Sequence, residues 1–523
     1  MSYQHNSNKK IELWIKVGLF VFVYIVFSHT MKLDFLLFDD SLNISKNPYF
    51  KNIELTTFFD LWAHPYEHLY IPVTYSLWAV LYTFSDRISG GIYPVYFHFS
   101  NLLMHAINTI IAFSIIKKTI NRKIQNDLQI YIIASIGAIF FAVHPIQTEA
   151  VAWISGMKDI LYSFFALLSL CFYLDDADEE KGKKKSISKK HIAFAFFVLA
   201  MLSKPTAVIL PFIIATLEIF IFKKPIKSII NLLPWIIASI ILIILARNLM
   251  PPPSKIEYPP WHLRPVLALD AMLFYLKKIL WPSEFMHDYG RTIQAASTNF
   301  IAFYFSTVFV AILLYVQTKI KAAKLFIVFL IAFFISILPY SGIIPFEFQR
   351  LSTVADRYAY FGVFIFCLFL CIALNKLNMS RQILVSFAII LTSFFTFKTI
   401  THLKVWENDI TLGEHTLKYN SLSTSSYINI GIKKSSNGLF DEAITNYQNA
   451  IKINPFAELA YYNMGIALTG KGNIQEALLQ AEKLRDIKSQ KADSLQEAIF
   501  DIITTLDSIP GNKAKLRDKL YFD

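Results

Sequence analysis

The chain has 523 residues, of which 55% are hydrophobic and 15% aromatic, and its mean hydropathy is +0.45. This composition excludes an ordinary soluble domain and indicates a polytopic membrane protein. The formal net charge is +12. However, Lys and Arg cluster in short loops between apolar segments, which is typical of membrane topology and argues against a nucleic-acid-binding protein.

Apolar segments recur along the first 400 residues. A helix that crosses a bilayer needs ~20 apolar residues. We predict about eleven spans, at residues 11–30, 94–116, 129–143, 160–174, 191–203, 205–222, 228–249, 298–317, 322–339, 358–374 and 382–399. The predicted fold is therefore all-α: a membrane helical bundle at residues 1–400 and a soluble helical domain at residues 401–523.

Basic residues alternate between the two sides of these spans. One side receives Lys9 and Lys10 together with the loops that contain Lys117, Lys223, Lys319, Lys376 and residues 181–190. The positive-inside rule makes that side cytoplasmic, so we predict a cytoplasmic N-terminus and an extracytoplasmic C-terminus. The richness in Lys, Ile and Asn favours a bacterial source, for which the membrane is the inner membrane and the outer side is the periplasm.

Two further apolar stretches do not fit this count. Residues 70–84 are too short to cross comfortably, so we expect an interfacial or re-entrant helix. Residues 265–281 contain Asp270, Lys277 and Lys278, and we expect them to form a helix on the outer surface.

Two adjacent carboxylates, Asp39 and Asp40, follow the first span in the sequence LFDDSLNISKNPYF, residues 37–50. An ionised side chain near a bilayer is energetically costly, so this pair is a candidate functional site. The structural alternative is that an aspartate caps the helix that follows.

The second outer loop, residues 144–159, adds His144, Glu149, Lys158 and Asp159. On a helix, Glu149 and Trp153 share a face. An acid there can support the aspartate pair or help to hold a divalent metal ion. The alternative is a surface helix with an aromatic anchor.

Three cations lie at the outer ends of later spans: Lys204, Arg350 and Arg357. Lys204 precedes a proline between two apolar segments, and Arg357 begins a span in the sequence ADRYAYFG. Each can be a binding residue, or a side chain that only reaches from a span end to the membrane surface.

The tail contains an internal repeat of 34 residues. Tyr427, Gly431 and Ala443 recur as Tyr461, Gly465 and Ala477, which predicts repeats at about 424–457 and 458–491. This period and pattern resemble the tetratricopeptide repeat, a pair of helices. We therefore predict a short extracytoplasmic α-solenoid, which either caps the chain or binds a partner.

Several motifs beyond the repeats resemble one family. They are LFDDSLNISKNPYF and the segments at residues 96–113, 140–161, 202–220, 274–290 and 355–362. In this order they resemble the transmembrane and tetratricopeptide-repeat proteins, a branch of the GT-C glycosyltransferase superfamily, over nearly the whole chain. The eukaryotic branch transfers mannose from dolichyl-phosphate-mannose to Ser or Thr of extracytoplasmic proteins.

The resemblance implies transfer of a mannose-like sugar from a polyprenyl-phosphate donor to a protein acceptor that the repeats recruit. Such a reaction needs a carboxylate base, for which Asp39 and Asp40 are candidates, with Asp39 favoured by analogy. It also needs cations for the phosphate, and His144, Glu149, Lys158, Lys204, Arg350 and Arg357 are the candidates for donor binding and support.

Two alternatives remain open from the sequence. The same fold can glycosylate a glycolipid or a surface polysaccharide, in which case the repeats are not needed for transfer. The chain can also be a non-catalytic envelope scaffold, in which case both aspartates can be replaced without effect. A transporter is disfavoured because the spans contain few ionisable residues and no matched pair of broken helices.

Overall fold

A computed structural model gives the fold and describes residues 2–50, 54–67, 69–121, 127–179, 189–249, 259–294, 323–344, 346–377 and 379–507. Regular secondary structure in these ranges is helical, without a β-strand, which confirms the predicted all-α class. The predicted span at residues 298–317 lies outside the described residues.

The chain divides into two compact units. The first contains Met1–Phe285 and Arg291–Trp406, and the second contains Met286–Gly290 and Glu407–Asp523. This division falls six residues after the predicted domain boundary at residue 400. No sequence feature indicated that a segment as short as Met286–Gly290 belongs with the tail.

The first unit is built from fourteen described α-helices connected by short turns. They are α1 (Ser2–Phe27), α2 (Leu55–Ala63), α3 (Pro72–Ser89), α4 (Pro94–Asn121), α5 (Asp127–Val143), α6 (Thr148–Ala152), α7 (Met157–Glu179), α8 (Lys189–Ser203), α9 (Leu210–Thr216), α10 (Leu233–Leu249), α11 (Arg264–Leu280), α12 (Ala323–Ile337), α13 (Tyr360–Leu377) and α14 (Arg381–Leu403). Helix α4 packs against α1, α5, α7 and α13, and the residues of its apolar window are mostly buried.

Six described segments are long and apolar enough to cross a membrane: Asn8–Lys32, Pro94–Asn121, Ile154–Asp175, Ile226–Leu249, Asp356–Leu377 and Arg381–Trp406. A seventh span results if Leu128–Val143 and Pro145–Ala152, which meet at a 47° bend, cross together. The chain is thus a multi-pass membrane protein by the length and composition of its helices.

The remaining predicted spans are shorter helices. Pro205–Ile221 and Lys324–Tyr340 have 10–17 residues each, and α8 has 15 residues. The stretches at 70–84 and 265–281 form α3 and α11, and neither helix meets the length and hydropathy of a span. The total of eleven spans stays a prediction.

An apolar cluster supports the first loop, which follows α1. Ile44 and Phe50 of this loop pack with Tyr75 and Trp78 of α3 and with Phe97 of α4, and all five side chains are buried. Aromatic side chains of this size interlock in close packing. The segment that carries Asp39 and Asp40 is therefore fixed on the bundle.

The second unit consists of paired helices: α15 (Asp409–Tyr419), α16 (Thr424–Ser436), α17 (Phe440–Ile453), α18 (Glu458–Lys471), α19 (Ile474–Asp486) and α20 (Lys491–Asp507). Helices α16 and α17 form the first predicted repeat, and α18 and α19 form the second. A Cβ atom at Gly431 would lie 2.5 Å from the Tyr447 ring, so the close pairing of α16 and α17 requires glycine there.

The segment Met286–Gly290 is bound into this unit by hydrogen bonds. The Ser423 hydroxyl donates to Oδ2 of Asp288 at 2.6 Å, and Nδ1 of His287 lies 2.9 Å from Oγ1 of Thr416. Ser423 is also the N-cap residue of α16. A loop that is distant in sequence therefore completes the start of the first repeat.

Candidate active site

Asp40 connects the first loop to the second outer loop. Its side chain is fully buried. Oδ1 accepts hydrogen bonds from the Ser155 backbone N–H at 2.9 Å and the Ser155 hydroxyl at 2.7 Å, and Oδ2 accepts one from the Leu36 N–H at 3.1 Å. Burial raises the pKa of Asp40 to about 7, although these donors favour the ionised form.

Helix capping does not explain this side chain. Asp40 stands at the N-cap position of the short turn Ser41–Ser45 but makes no side-chain capping hydrogen bond to it. Its carboxylate is directed instead to Ser155, 115 residues further along the chain.

The neighbouring Asp39 has a different environment. Its side chain is 40% exposed, and Oδ2 lies 3.6 Å from Nζ of Lys158. The Lys158 side chain is 12% exposed, and its ammonium lies 5.4 Å from the centre of the Trp153 ring. Because Asp40 is buried, Asp39 is the member of the acidic pair that an incoming molecule can reach.

Arg357 and Glu149 form a buried ion pair. Nη1 of Arg357 donates to Oε1 of Glu149, and the backbone N–H of Arg357 donates to Oε2 at 3.0 Å. The guanidinium also lies 4.3 Å, 4.6 Å and 5.0 Å from the centres of the Phe348, Tyr358 and Trp153 rings. These contacts hold Arg357 rigidly by charge and by cation–π attraction.

Lys204 and Asp159 form a second pair, with Nζ and Oδ1 2.6 Å apart. The Tyr340 hydroxyl lies 3.3 Å from the same Asp159 oxygen and 2.9 Å from Oγ1 of Thr206. Burial lowers the pKa of Lys204 to about 8, and the negative charge of Asp159 opposes that shift.

Aromatic rings connect three pairs of opposite charge into one cluster: Asp39 with Lys158, Glu149 with Arg357, and Asp159 with Lys204. The Trp153 ring contacts the cations of both Lys158 and Arg357. The Tyr358 ring contacts Arg357 and lies 5.3 Å from the Lys204 ammonium. Five of the cations and carboxylates predicted from the sequence, together with Asp159, therefore meet in one place: Asp39, Lys158, Glu149, Arg357 and Lys204.

The described residues contain no group of three or more His, Cys, Asp or Glu side chains that could hold a metal ion. The carboxylates of Asp39 and Asp40 have separate partners.

Comparisons with known proteins indicate the family. The model of a TPR repeat matches residues 436–472. The chain is 24% identical over 427 residues to the protein O-mannosyl-transferase F38B6.6 of Caenorhabditis elegans, an alignment that covers 79% of this chain and 59% of that protein. It is 27% identical over 232 residues to the protein O-mannosyl-transferase TMTC4 of Homo sapiens, covering 40% and 30% of the two chains. The chain is a TMTC-like protein.

The matched regions span less than two thirds of the length of these relatives. A shorter alignment to human protein O-mannosyl-transferase TMTC1 has 33% identity over 125 residues, 23% of this chain and 13% of the relative. No solved structure matches the chain.

The predicted site residue His144 does not join the cluster of this TMTC-like chain. Nδ1 of His144 accepts a hydrogen bond from the Ile146 N–H at 3.2 Å, and Nε2 lies 3.0 Å from the Ile279 carbonyl oxygen. With both nitrogens used in this way, the buried His144 fixes the backbone. Arg350 lies in the turn Glu347–Arg350, and its side chain is outside the described part of the structure.

Several residues of the TMTC-like site were not predicted as site residues. Ser155 holds Asp40, and Tyr340 and Tyr358 stack with their ring centres 4.1 Å apart. Asp159, which the sequence analysis named in the second outer loop without a specific role, neutralises Lys204. Serine and tyrosine are common near span ends, so their roles become visible only when the two loops meet.

Proposed function

We propose that this TMTC-like chain is a protein O-mannosyl-transferase that uses a polyprenyl-phosphate-linked mannose and modifies Ser or Thr of extracytoplasmic proteins. Relatives with the name protein O-mannosyl-transferase support the reaction class, and the apolar helices and the TPR repeat support a membrane enzyme with a protein-binding module. The observation that carries the proposal is the exposed Asp39 carboxylate beside Lys158.

In the proposed reaction, Asp39 is the general base. It takes the proton of the acceptor hydroxyl while the hydroxyl oxygen attacks the anomeric carbon of mannose. The bond between this carbon and the phosphate oxygen breaks, and polyprenyl phosphate leaves with the electron pair. Attack from the face opposite the phosphate inverts the configuration of the sugar.

Lys158 is the proposed cation for the donor phosphate, because it lies beside the exposed Asp39 carboxylate. A phosphate drawn to its ammonium would weaken the contact with Asp39 and leave that carboxylate to accept a proton. Arg357 and Lys204 already neutralise Glu149 and Asp159. Their proposed role is to hold the second outer loop and the start of α13 in place behind Lys158.

A divalent metal ion is compatible with this proposal. Mg²⁺ in proteins is commonly bound by one or two carboxylates together with the phosphate oxygens of a substrate. Asp39 would supply the carboxylate and the donor would supply the phosphate. Loss of transfer on addition of a chelator, and its recovery with Mg²⁺ or Mn²⁺, would establish the requirement.

The proposed location follows from the same chemistry. Asp39 and the repeats belong on the extracytoplasmic side, with the N-terminus in the cytoplasm. A protein acceptor then meets the lipid-linked donor at the extracytoplasmic surface of the membrane that holds the enzyme. A bacterial inner membrane, and membership of the GT-C superfamily, are part of the proposal.

The test uses the full chain in liposomes that contain polyprenyl-phosphate-mannose and a membrane-free extract of envelope proteins. Transfer of labelled mannose to protein supports the proposal. Because a positioned base contributes ~10²–10⁴-fold, Asp39→Asn should lose most of the transfer, whereas Asp34→Asn, at an exposed position in the same loop, should retain it. Mannose found only in lipid or polysaccharide would favour the glycolipid acceptor, and wild-type transfer by Asp39→Asn would refute the assignment of the base.

A further inference from the structure

One stripe of α4 carries four buried polar side chains: His98, Asn101, His105 and Asn108. Their spacing of three, four and three residues places them along one side of the helix. Polar side chains within a membrane helix are costly and mark functional or interhelical contacts. The reaction proposed above uses none of them, so this stripe needs a separate explanation.

Two residues of the stripe, His105 and Asn108, fasten α4 to its neighbours. His105 lies 2.7 Å from the Tyr360 hydroxyl through Nδ1 and 2.9 Å from the Ala142 carbonyl oxygen through Nε2. Nδ2 of Asn108 donates to the Ile160 carbonyl oxygen and the Tyr360 hydroxyl, each at 3.1 Å. These are contacts between packed helices.

Asn101 contacts a different kind of structure. Its Nδ2 donates to the Trp153 carbonyl oxygen at 2.8 Å and lies 3.4 Å and 3.5 Å from the carbonyl oxygens of Val151 and Ile154. These carbonyls belong to the break between α6 and α7, where Trp153 has an extended backbone with φ −82° and ψ 126°. Carbonyls at the end of a helix lack intrahelical partners, and Asn101 supplies one.

The break also depends on a close approach of the backbone. A Cβ atom at Gly156 would lie 2.3 Å from the Ala150 carbonyl oxygen, so the turn folds back too tightly for any other residue. Asn101 and Gly156 thus constrain the same turn, one through hydrogen bonds and the other through the absence of a side chain.

This turn determines where the catalytic groups lie. Ser155, within the break, donates its N–H and its hydroxyl to Asp40. Lys158, three residues later, lies beside Asp39. A shift of the break would therefore move Ser155 away from Asp40 and change the distance between Asp39 and Lys158.

We propose that Asn101 is a positioning residue for the candidate active site. It holds the break between α6 and α7, and through Ser155 and Lys158 it sets the position of the Asp39 carboxylate. The kinetic consequence rests on the proposed function, whereas the structural consequence does not.

The structural test is hydrogen–deuterium exchange of the full chain in nanodiscs, which needs no donor or acceptor. Asn101→Leu removes the donor, and Asn108→Leu is the matched control on the same stripe. We expect faster exchange in the peptide containing residues 150–158 for Asn101→Leu only, because the Ser155 N–H is released from Asp40. Equal exchange of this peptide in the wild type and Asn101→Leu, or an equal increase in both variants, would overturn the proposal.

The kinetic test uses the transfer assay. For Asn101→Leu we expect kcat to fall at least tenfold per folded molecule, because the distance between the base and Lys158 changes, and we expect KM for the donor to rise as well, because Lys158 is the proposed phosphate contact. An unchanged kcat would contradict the proposal. If the wild-type chain transfers no mannose, the proposed function fails, and the exchange experiment still decides the role of Asn101.

A second variant covers the case in which Asn101→Leu does not fold. Gly156→Ala leaves Asn101 intact and perturbs the break from the other side, because the added Cβ atom collides with the Ala150 carbonyl. The proposal predicts the same faster exchange at residues 150–158 and the same loss of kcat. Wild-type behaviour of Gly156→Ala in both measurements would show that the break does not position the site.

Discussion

The Nζ atom of Lys204 lies 2.6 Å from Oδ1 of Asp159, and the side chains are 15% and 1% exposed. A charge in such a site is stable only with its partner, because removing one member leaves the other buried and uncompensated. The pair also lies against the stacked rings of Tyr340 and Tyr358. Lys204 therefore has a structural role that does not depend on a donor phosphate.

A double-mutant cycle tests this role. Lys204→Met should lower the free energy of unfolding by about 3–5 kcal/mol, the usual cost of breaking a buried pair. Adding Asp159→Asn should recover part of that loss, because the buried carboxylate is removed. Thermal unfolding in detergent measures both changes. Asp159→Asn alone completes the cycle, and if the loss in the double variant equals the sum of the two single losses, the two residues are not coupled.

The buried carboxyl group of Asp40 should make the stability of the folded chain depend on pH. Burial raises its pKa to about 7 in the folded chain, whereas an exposed aspartate has a pKa of ~4. Between these values the folded state binds more protons than the unfolded state. The contribution of Asp40 is thus greatest below about pH 4 and is lost as the pH rises through about 7.

Asp40→Asn should remove this contribution. The wild-type unfolding temperature, measured from pH 4 to pH 8, should fall more steeply with pH than that of Asp40→Asn. The asparagine amide also faces N–H donors of Ser155 or Leu36, which costs about 1–3 kcal/mol. Parallel curves for the wild type and Asp40→Asn would show that Asp40 has no raised pKa.

Two substitutions of Arg357 separate the contribution of its charge from that of its planar geometry. Arg357→Ala leaves Glu149 buried without its cation, and Arg357→Lys keeps the charge but cannot reproduce the planar contacts with Glu149 and the rings. Binding of polyprenyl-phosphate-mannose, measured by equilibrium binding, should weaken more in Arg357→Ala than in Arg357→Lys. The control is Arg87→Ala, at an exposed position. Wild-type binding by both variants would show that the position of the loop held by Arg357 does not affect donor binding.

The sequence was sufficient to predict most residues of the charged cluster, but not which of them contact one another. Apolar spans fix the depth of a residue in the membrane, which is why Asp39, Lys158, Lys204 and Arg357 could be placed on one side. The rotation of a helix and the path of a loop depend on packing between distant segments. The partnership of Glu149 with Arg357, 208 residues away, therefore could not be derived.

The acidic pair shows the same limit at short range. Asp39 and Asp40 are adjacent and chemically identical, and only the backbone path decides that one is exposed beside Lys158 and the other buried on Ser155.

In the tail, the 34-residue period was sufficient to predict two helix pairs. The addition of Met286–Gly290 to that unit depends on a long-range contact that leaves no periodic signal.

The repeats can be separated experimentally from the membrane unit. Ala443 is fully buried in α17, so Ala443→Trp should force α16 and α17 apart at a cost of about 1–3 kcal/mol for overpacking. Thr445, on the same helix, is exposed, and Thr445→Trp is the matched control. Because the spans have their own packing, neither variant should unfold the membrane unit.

If the repeats recruit a protein acceptor, Ala443→Trp should keep donor binding and donor hydrolysis but lose transfer of mannose to protein, while Thr445→Trp keeps all three. These activities can be measured on the same liposomes. Unchanged transfer by Ala443→Trp would favour a glycolipid acceptor. Loss of donor binding as well would mean that the membrane unit requires intact repeats for its own structure, because the substitution lies only in the second unit.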